Sequence, residues 1–280
     1  MNVRQWAKHA KEEHQNQKGE RFFSEKALLS ALFEKNGLDR NLLLNAPEQS
    51  LEEEKICHLE RDLALLLSGY PIQYYLGTEF FCGEEYLVSE GVLIPRPETA
   101  LLVELGEKQA KEGSVVFDFC CGSGCVGIAL LLARLDLKCV SFDLSPEAIG
   151  LTEKNRARFG LEERLRVEKC DLLSDEAEKW IAKEKPSLIL ANPPYLTGEE
   201  MERIDDNVKH EPEMALRGGE DGLLFYRRFL EFCAETETPF CMEIGWEQKT
   251  GIEAILKEKG LEGEFHRDEA GLWRAVSVMI

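Results

Sequence analysis

Between positions 3 and 69 apolar residues recur every three to four places. Ala27, Leu28, Ala31 and Leu32 form one set, and Ile56, Leu59, Leu63, Leu66 and Leu67 another, the spacing that gathers side chains on one face of an α-helix. Gly37 and Gly69 stand where helices stop, and Asn45-Ala46-Pro47 reads as a turn between helices. Residues 1–70 are therefore expected to form a small helical bundle. The pattern then changes. Around Gly83 the residues Phe80, Phe81, Tyr86 and Val88 are placed as in a short β-hairpin, which makes 71–97 a linker carrying that hairpin. From Glu98 onward, β-rich runs at 115–119, 138–143, 165–169, 187–191 and 240–244 alternate with helical stretches. Such alternation folds as a mostly parallel sheet with helices on both faces, so residues 98–280 are expected to form an α/β domain.

Two strand ends carry candidate chemistry. The run Val115-Val116-Phe117-Asp118-Phe119 leads into Cys120-Cys121-Gly122-Ser123-Gly124 and then into a helical pattern from Cys125 to Arg134. Glycines at such a turn let backbone approach a ligand, and the N–H groups that open the following helix supply donors and the positive end of its dipole. A nucleoside-type cofactor suits that cradle, with Asp118, Cys120, Cys121, Gly122, Ser123 and Gly124 as its candidate contacts. About twenty residues past the glycines the next strand ends at Asp143, whose carboxylate can accept from ribose hydroxyls. Ser145-Pro146 forms an N-cap and first-turn pair for the helix after it. Asp171, after the third strand, can accept from an adenine amino group; an exposed loop acid is the other reading. Gly122, Gly124 and Gly127 also spell the dinucleotide fingerprint, so a nicotinamide-dependent oxidoreductase stays open on this motif alone.

The second strand end is Asn192-Pro193-Pro194-Tyr195, directly after the apolar run 187–191. Two prolines cannot continue a ladder, so the chain leaves the sheet with Asn192 at the carboxyl end of the strand, where open parallel sheets bind ligands. The Asn192 side-chain oxygen and the Pro193 carbonyl are two acceptors suited to the hydrogens of a planar NH2 group, with Tyr195 beside it as a stacking face or as a plain core aromatic. An ordinary exit turn is the bland reading. A hydride-transfer enzyme has no evident use for this clamp, whereas a methyltransferase needs both a sulfonium cofactor and a grip on the nucleophile. The two motifs together favour S-adenosylmethionine.

These residues resemble the HemK-type (PrmC) release-factor glutamine N5-methyltransferases, within the S-adenosylmethionine-dependent class. The resemblance runs almost end to end. It includes Pro71-Ile72-Gln73-Tyr74-Tyr75-Leu76-Gly77, Val92-Leu93-Ile94-Pro95-Arg96-Pro97-Glu98-Thr99, Glu211-Pro212, Ala215-Leu216, Gly218-Gly219-Glu220-Asp221-Gly222-Leu223, Glu243-Ile244-Gly245 and Gln248. It implies a seven-stranded Rossmann-like methyltransferase sheet closed by an antiparallel pair over 265–280, with Gly271 between its strands. It also implies methylation of the glutamine side-chain amide in the Gly-Gly-Gln loop of class I peptide-chain release factors. Catalytic roles then fall to Asn192, Pro193 and Tyr195, substrate contacts to Asn192, Pro193, Pro194, Tyr195 and Arg96, and further cofactor contacts to Leu172 and Asn192. Arg96, stiffened between prolines, is placed either near the cofactor carboxylate or in an ion pair with Glu98 or another acid. The long loop from Glu211 to Gly222 is implied to grip the glutamine loop, and the helical bundle to recognise the protein substrate; a stabilising cap is the other reading of the bundle. The sequence departs from the family pattern at Cys120, where glycine is usual, and at Leu172, which replaces an aromatic residue of some relatives. The first is expected to alter loop geometry slightly, the second to weaken stacking on adenine.

Composition narrows the partners. The net charge is −19, and residues 1–75 hold ten Lys and Arg against twelve Asp and Glu, so the acidity belongs to the larger domain. A broadly negative surface repels a nucleic-acid backbone, which weighs against enzymes that share N-P-P-Y and methylate adenine or guanine. Nine irregularly spaced cysteines without a C-x-x-C pair suit reduced thiols, and five scattered histidines offer no zinc-like spacing. The polar stretch 1–18 lacks the apolar run of a signal peptide, and no apolar stretch approaches a membrane span, so a cytoplasmic location is expected. A methyltransferase-like fold serving only as a cofactor-binding adaptor is a further possibility that fold alone does not remove.

Overall fold

The structure is a computed structural model, and it describes all residues except 18–21, 40 and 280. Lys18 and Ile280, which end two of the stretches read above, lie outside the described residues. The chain divides into two units, Met1–Gly77 with Asp205–His210, and Thr78–Ile204 with Glu211–Ile280.

The first unit contains α1 (Val3–Asn16), α2 (Glu25–Lys35), α3 (Leu42–Asn45), α4 (Glu53–Leu67) and α5 (Ile72–Leu76). Asn2 and Gln5 form a capping box at the start of α1, and Ser24 caps α2 through the Ala27 N–H, so these two helices begin where a side-chain oxygen replaces a missing backbone acceptor. Gly37 ends α2 in the left-handed conformation, with φ at 67°. Trp6 and Ala10 of α1, Leu28 and Leu32 of α2, and Leu59, Leu63 and Leu66 of α4 bury the helical stripes against one another. Asp62 is buried among them because the Tyr75 hydroxyl and the Asn36 amide both donate to its Oδ2, at 2.8 and 2.9 Å. The segment Asp205–His210 belongs to this unit, with the His210 ring 5.5 Å from that of Tyr70.

The second unit opens with the expected hairpin, β1 (Thr78–Phe81) and β2 (Glu84–Leu87), paired antiparallel. Its two turn residues, Cys82 and Gly83, both have positive φ, 49° and 85°, the geometry that matches the twist of paired strands. The remaining elements are α6 (Ala100–Gln109), β3 (Val115–Phe119), α7 (Cys125–Ala133), β4 (Lys138–Asp143), α8 (Pro146–Arg158), β5 (Leu165–Lys169), α9 (Asp175–Glu184), β6 (Leu188–Ala191), α10 (Gly198–Met201), α11 (Leu224–Thr236), β7 (Phe240–Glu243), α12 (Lys249–Glu258), β8 (Glu264–Arg267) and β9 (Trp273–Val278). The strands form one seven-stranded sheet in the order β5-β4-β3-β6-β7-β9-β8. β3 to β7 run parallel, and β9 pairs antiparallel with both β7 and β8.

Side chains alternate between the faces of the sheet. Phe117, Phe119, Phe142, Ile189 and Phe240 pack with Phe229 and Ile252 on one side, while Val116, Cys139, Leu188 and Leu190 pack with Leu102, Ile128 and Leu130 on the other. Burial on both faces is what makes these strands read as mostly apolar runs. Strand order departs from β3 in both directions, through β4 and β5 on one side and through β6 and β7 on the other, so the carboxyl ends of β3 and β6 flank the switch point where a crevice opens.

Candidate active site

A cleft lies at that switch point, and its walls come from the ends of β3, β4 and β6, the turn after β5, and the segment 91–99. Directly after β3 the backbone of Cys120 enters the left-handed region at φ 58°, followed by Gly122 at 57° and Gly124 at 78°. Cys120 thus holds a conformation that glycine adopts without strain and a cysteine with some, which is the physical content of its departure from the family pattern. A Cβ on Gly124 would come within 2.7 Å of Thr152 Cγ2, so this glycine serves the contact with α8 and is not among the residues lining the cleft. A Cβ on Gly127 would lie 2.9 Å from Ser141 Oγ and 3.0 Å from Asp118 Oδ2, so the third glycine of the fingerprint lets α7 settle on the sheet.

Asp118 is buried beneath the loop. Its Oδ2 accepts from the Gly127 N–H at 3.1 Å and from the Ser141 hydroxyl at 3.2 Å, while burial pushes its carboxyl up to about 7 against those two bonds. Asp118 braces the start of α7 and also reaches the cleft wall. Asp143 holds the loop from the other side: Oδ2 accepts from the Gly122 N–H at 2.9 Å and Oδ1 from the Ser145 N–H at 3.0 Å. Burial raises its carboxyl above the ordinary range, and these backbone donors oppose the shift. Each oxygen keeps acceptor capacity for a diol. Cys121, Ser123, Asp171 and Leu172 complete this end of the cleft. Asp171 Oδ1 accepts from the Leu173 N–H at 2.9 Å and so closes its own turn. Leu172 is buried against the cleft, an aliphatic wall for a flat base.

Sequence reading did not single out Val92, Leu144, Ala148, Met214 and Phe225 as parts of this wall. Leu144 was the legible one, an apolar residue wedged between an acid and a helix cap, and it is 43% exposed here. An apolar slot ending in a carboxylate and glycine N–H groups fits adenosine, and it gives S-adenosylmethionine a base wall, a ribose acceptor and a loop for its remaining groups. Asp143→Asn would set an amide donor against the Gly122 or Ser145 N–H and weaken a charge-assisted contact to the ribose. The expected result is S-adenosylmethionine binding weakened about tenfold, read by calorimetry, with folding retained.

The nucleophile side is built from β6. Asn192 and Pro194 line the cleft, and the Asn192 Nδ2 donates to Thr99 Oγ1 at 3.3 Å. Pro193 is buried, and Tyr195 packs half-buried against the cluster that contains Tyr226 and Phe229; neither is among the described residues lining the cleft. Burial raises the Tyr195 hydroxyl well above its ordinary range, with the Glu243 charge adding to the effect. In this structure Tyr195 sits half-buried at the edge of that cluster, closer to its second reading than to a place in the cleft wall.

Arg96 lines the cleft and pairs with Glu211, not with Glu98. Glu211 is 7% exposed, and its other oxygen accepts from the Ile94 N–H at 3.0 Å, so one buried carboxylate ties the 94–96 segment to the loop beyond β6. That loop also braces the Asn192–Tyr195 turn. The Leu196 N–H donates to the Leu216 carbonyl and the Gly218 N–H to the Leu196 carbonyl, both at 2.8 Å, and Gln248 Nε2 donates to the carbonyls of Tyr195 at 2.8 Å and Gly222 at 3.0 Å. Gln248 Oε1 accepts from the Gly245 N–H at 2.9 Å, which fixes the amide's orientation. The glycine-rich segment and Gln248 thus form the back wall of the turn.

The methyltransferase small domain family matches residues 97–231. Among solved structures, the hMettl16 catalytic domain, solved in complex with the MAT2A 3′UTR hairpin 6, shares the fold with a TM-score of 0.55 at 14% identity, covering 77% of this chain and 91% of its own. Fold, cleft and family match define an enzyme of the S-adenosylmethionine-dependent methyltransferase class. Release factor glutamine methyltransferases of Bacillus subtilis, 35% identical over 257 residues with 87% of each chain covered, and of Clostridium acetobutylicum, 34% identical over 256 residues with 89% and 88% covered, are its relatives. The chain belongs to the release factor glutamine methyltransferase family.

Proposed function

We propose that this protein transfers the methyl group of S-adenosylmethionine to the side-chain amide nitrogen, N5, of the glutamine in the Gly-Gly-Gln loop of class I release factors. The observation that carries the reading is that Asn192, at the carboxyl end of β6, lines the same cleft as Asp143, Gly122 and Leu172. A planar amide placed there has its acceptor beside the cofactor slot. When bound, S-adenosylmethionine supplies a methyl group already activated as an electrophile, so the protein has to orient the nitrogen and keep out water.

Amide nitrogen is a poor nucleophile because its lone pair is delocalised into the carbonyl. Asn192 Oδ1 accepts one of its two hydrogens, and the Pro193 carbonyl, which does not line the cleft before substrate binds, is assigned the other; these bonds strengthen as positive charge builds on nitrogen, and one of the two hydrogens then leaves as a proton to restore the neutral amide. Pro194 and the apolar wall of Val92 and Phe225 exclude water from the reacting atoms. Arg96, fixed by Glu211, places a cation at the mouth for the substrate backbone. The helical unit recognises the body of the release factor, the role that the family resemblance gives it. The location that fits this substrate is the cytoplasm; among the described residues no helix is long and apolar enough to cross a membrane.

A labelled-methyl assay on purified release factor, followed by mass mapping of the modified side chain, tests the reading. The expected product is a single methyl on the loop glutamine. Label appearing in DNA or RNA and not in release factor would overturn it, and cofactor binding with no transfer to any of the three would leave the adaptor reading standing.

A further inference from the structure

Next to Asn192 is a polar pair that the clamp does not use directly: Thr99, which also lines the cleft, and the buried Glu243. Thr99, 3% exposed, sits just before α6, and Glu243, 1% exposed, ends β7 next to β6. The Asn192 Nδ2 donates to Thr99 Oγ1 at 3.3 Å. Thr99 is near enough to the Glu243 carboxylate for its hydroxyl to favour the charged form, while Glu243 Oε2 has no hydrogen-bond partner among the described residues. A carboxylate held in apolar surroundings with one oxygen unpartnered is costly, and such groups persist where something depends on them.

What depends on it follows from donor counting. A threonine hydroxyl has one hydrogen to give, and an ionised carboxylate can only accept. If that hydrogen is turned to Glu243, Thr99 Oγ1 meets Asn192 only as an acceptor, so the Asn192 NH2 faces Thr99, as observed, and Oδ1 is left free for a substrate donor in the cleft that both residues line. The opposite flip would present an NH2 group to the amide hydrogens of the substrate, donor against donor. We infer that Thr99 and Glu243 are positioning residues, a relay that fixes the flip of the Asn192 carboxamide and so turns its acceptor towards the substrate amide. The inference rests on the glutamine-amide reading above.

The relay has a built-in sensitivity to protons. Burial pushes the Glu243 carboxyl up to about 7, against the Thr99 contact and the positive charges of Arg274 on β9 and Arg96, with Glu98 adding repulsion. Tyr195 and Tyr226 also face it, the latter donating its hydroxyl to the Glu243 carbonyl at 2.9 Å, and Cys125 at the start of α7 is within electrostatic reach. A protonated Glu243 can donate to Thr99, which frees the threonine hydrogen for Asn192 Oδ1 and admits the wrong flip. The constraint is present above about pH 7 and is lost as the pH falls through that value.

Thr99→Val keeps the shape and removes the relay. The expected result is a kcat for release-factor methylation about tenfold lower, with KM and S-adenosylmethionine affinity changed by less than about twofold, because the loss lies in orientation at the reacting atom. Thr99→Ser restores the hydroxyl and is expected to recover kcat to within about threefold, which separates the relay from a packing defect. For wild type, kcat declines below about pH 7, and in Glu243→Gln that decline disappears, since the carboxamide does not titrate. Asp118 titrates in the same range but keeps its contacts in this variant, so a decline that survives Glu243→Gln belongs elsewhere and overturns the inference, as does an unchanged kcat in Thr99→Val. A wild-type enzyme that does not methylate release factor would refute the substrate reading instead, a result visible before any variant is made.

Discussion

Asn192→Ala is expected to lower kcat for release-factor methylation by about 10²–10³-fold while S-adenosylmethionine binds as before. The side chain sits at the carboxyl end of β6 and lines the cleft, and its one hydrogen bond among the described residues is to Thr99, not to a residue of the cofactor loop. Removing it takes away one of two acceptors for the amide hydrogens without touching Asp143, Gly122 or the apolar wall. Because that contact strengthens only as charge develops on nitrogen, the loss should appear in kcat and kcat/KM together and leave KM nearly unchanged. Steady-state kinetics with labelled methyl, beside calorimetry of cofactor binding, checks both halves. A variant that keeps kcat within threefold would place the acceptor elsewhere; one that loses cofactor binding equally would make Asn192 part of the cofactor site.

The parts of the molecule that were legible in the sequence are those whose cause is local. Strands β3, β4 and β5 begin and end where the sequence pattern places them, the first two because central strands covered on both faces are largely apolar and the edge strand β5 in spite of its polar residues, and β6 and β7 differ from the reading by one residue. The cofactor half of the site is equally local: the glycine loop, Asp143 and the Ser145 cap fall within one strand-loop-helix-strand passage. The nucleophile half is not. Thr99 and Glu243 meet Asn192 only because β7 pairs with β6 and α6 packs across both, contacts that span about fifty to a hundred and forty residues. Arg96 and Glu211 are likewise 115 residues apart, and the sequence offered Glu98 as a nearer acid. Nothing in the composition of Asp205–His210 marks it as belonging with the helices, because a polar segment of six residues carries no period to read. Tyr195 shows the same limit from the other side. Its place in the chain suggests a stacking face, and only the tertiary structure shows that it packs half-buried against the cluster containing Tyr226 and Phe229.

Gly218→Ala is the substitution that tests whether the loop behind the Asn192–Tyr195 turn matters for rate. A single added Cβ would stand 2.6 Å from Tyr195 Cα and 2.7 Å from the Pro194 carbonyl oxygen, so backbone must move, and it is the backbone that carries the clamp. The Gly218 N–H to Leu196 carbonyl bond, at 2.8 Å, and the Gln248 bond to Tyr195, also 2.8 Å, resist a shift of the loop alone, so the displacement is shared with the turn. A misplacement near 1 Å at reacting atoms costs about a hundredfold, and that is the expected fall in kcat. Overpacking of this kind also destabilises by about 1–3 kcal/mol, so the kinetic loss should be read well below the thermal midpoint, where the variant is folded. Gly150→Ala is the matched control: it adds the same methyl within α8, where nothing lies within 4 Å, and is expected to leave kcat unchanged and to raise the melting temperature slightly, alanine being the better helix former. If Gly218→Ala retained kcat within threefold, the turn would tolerate movement of its back wall, and the glycine-rich segment would have to act on the substrate itself, not on the residues that hold it.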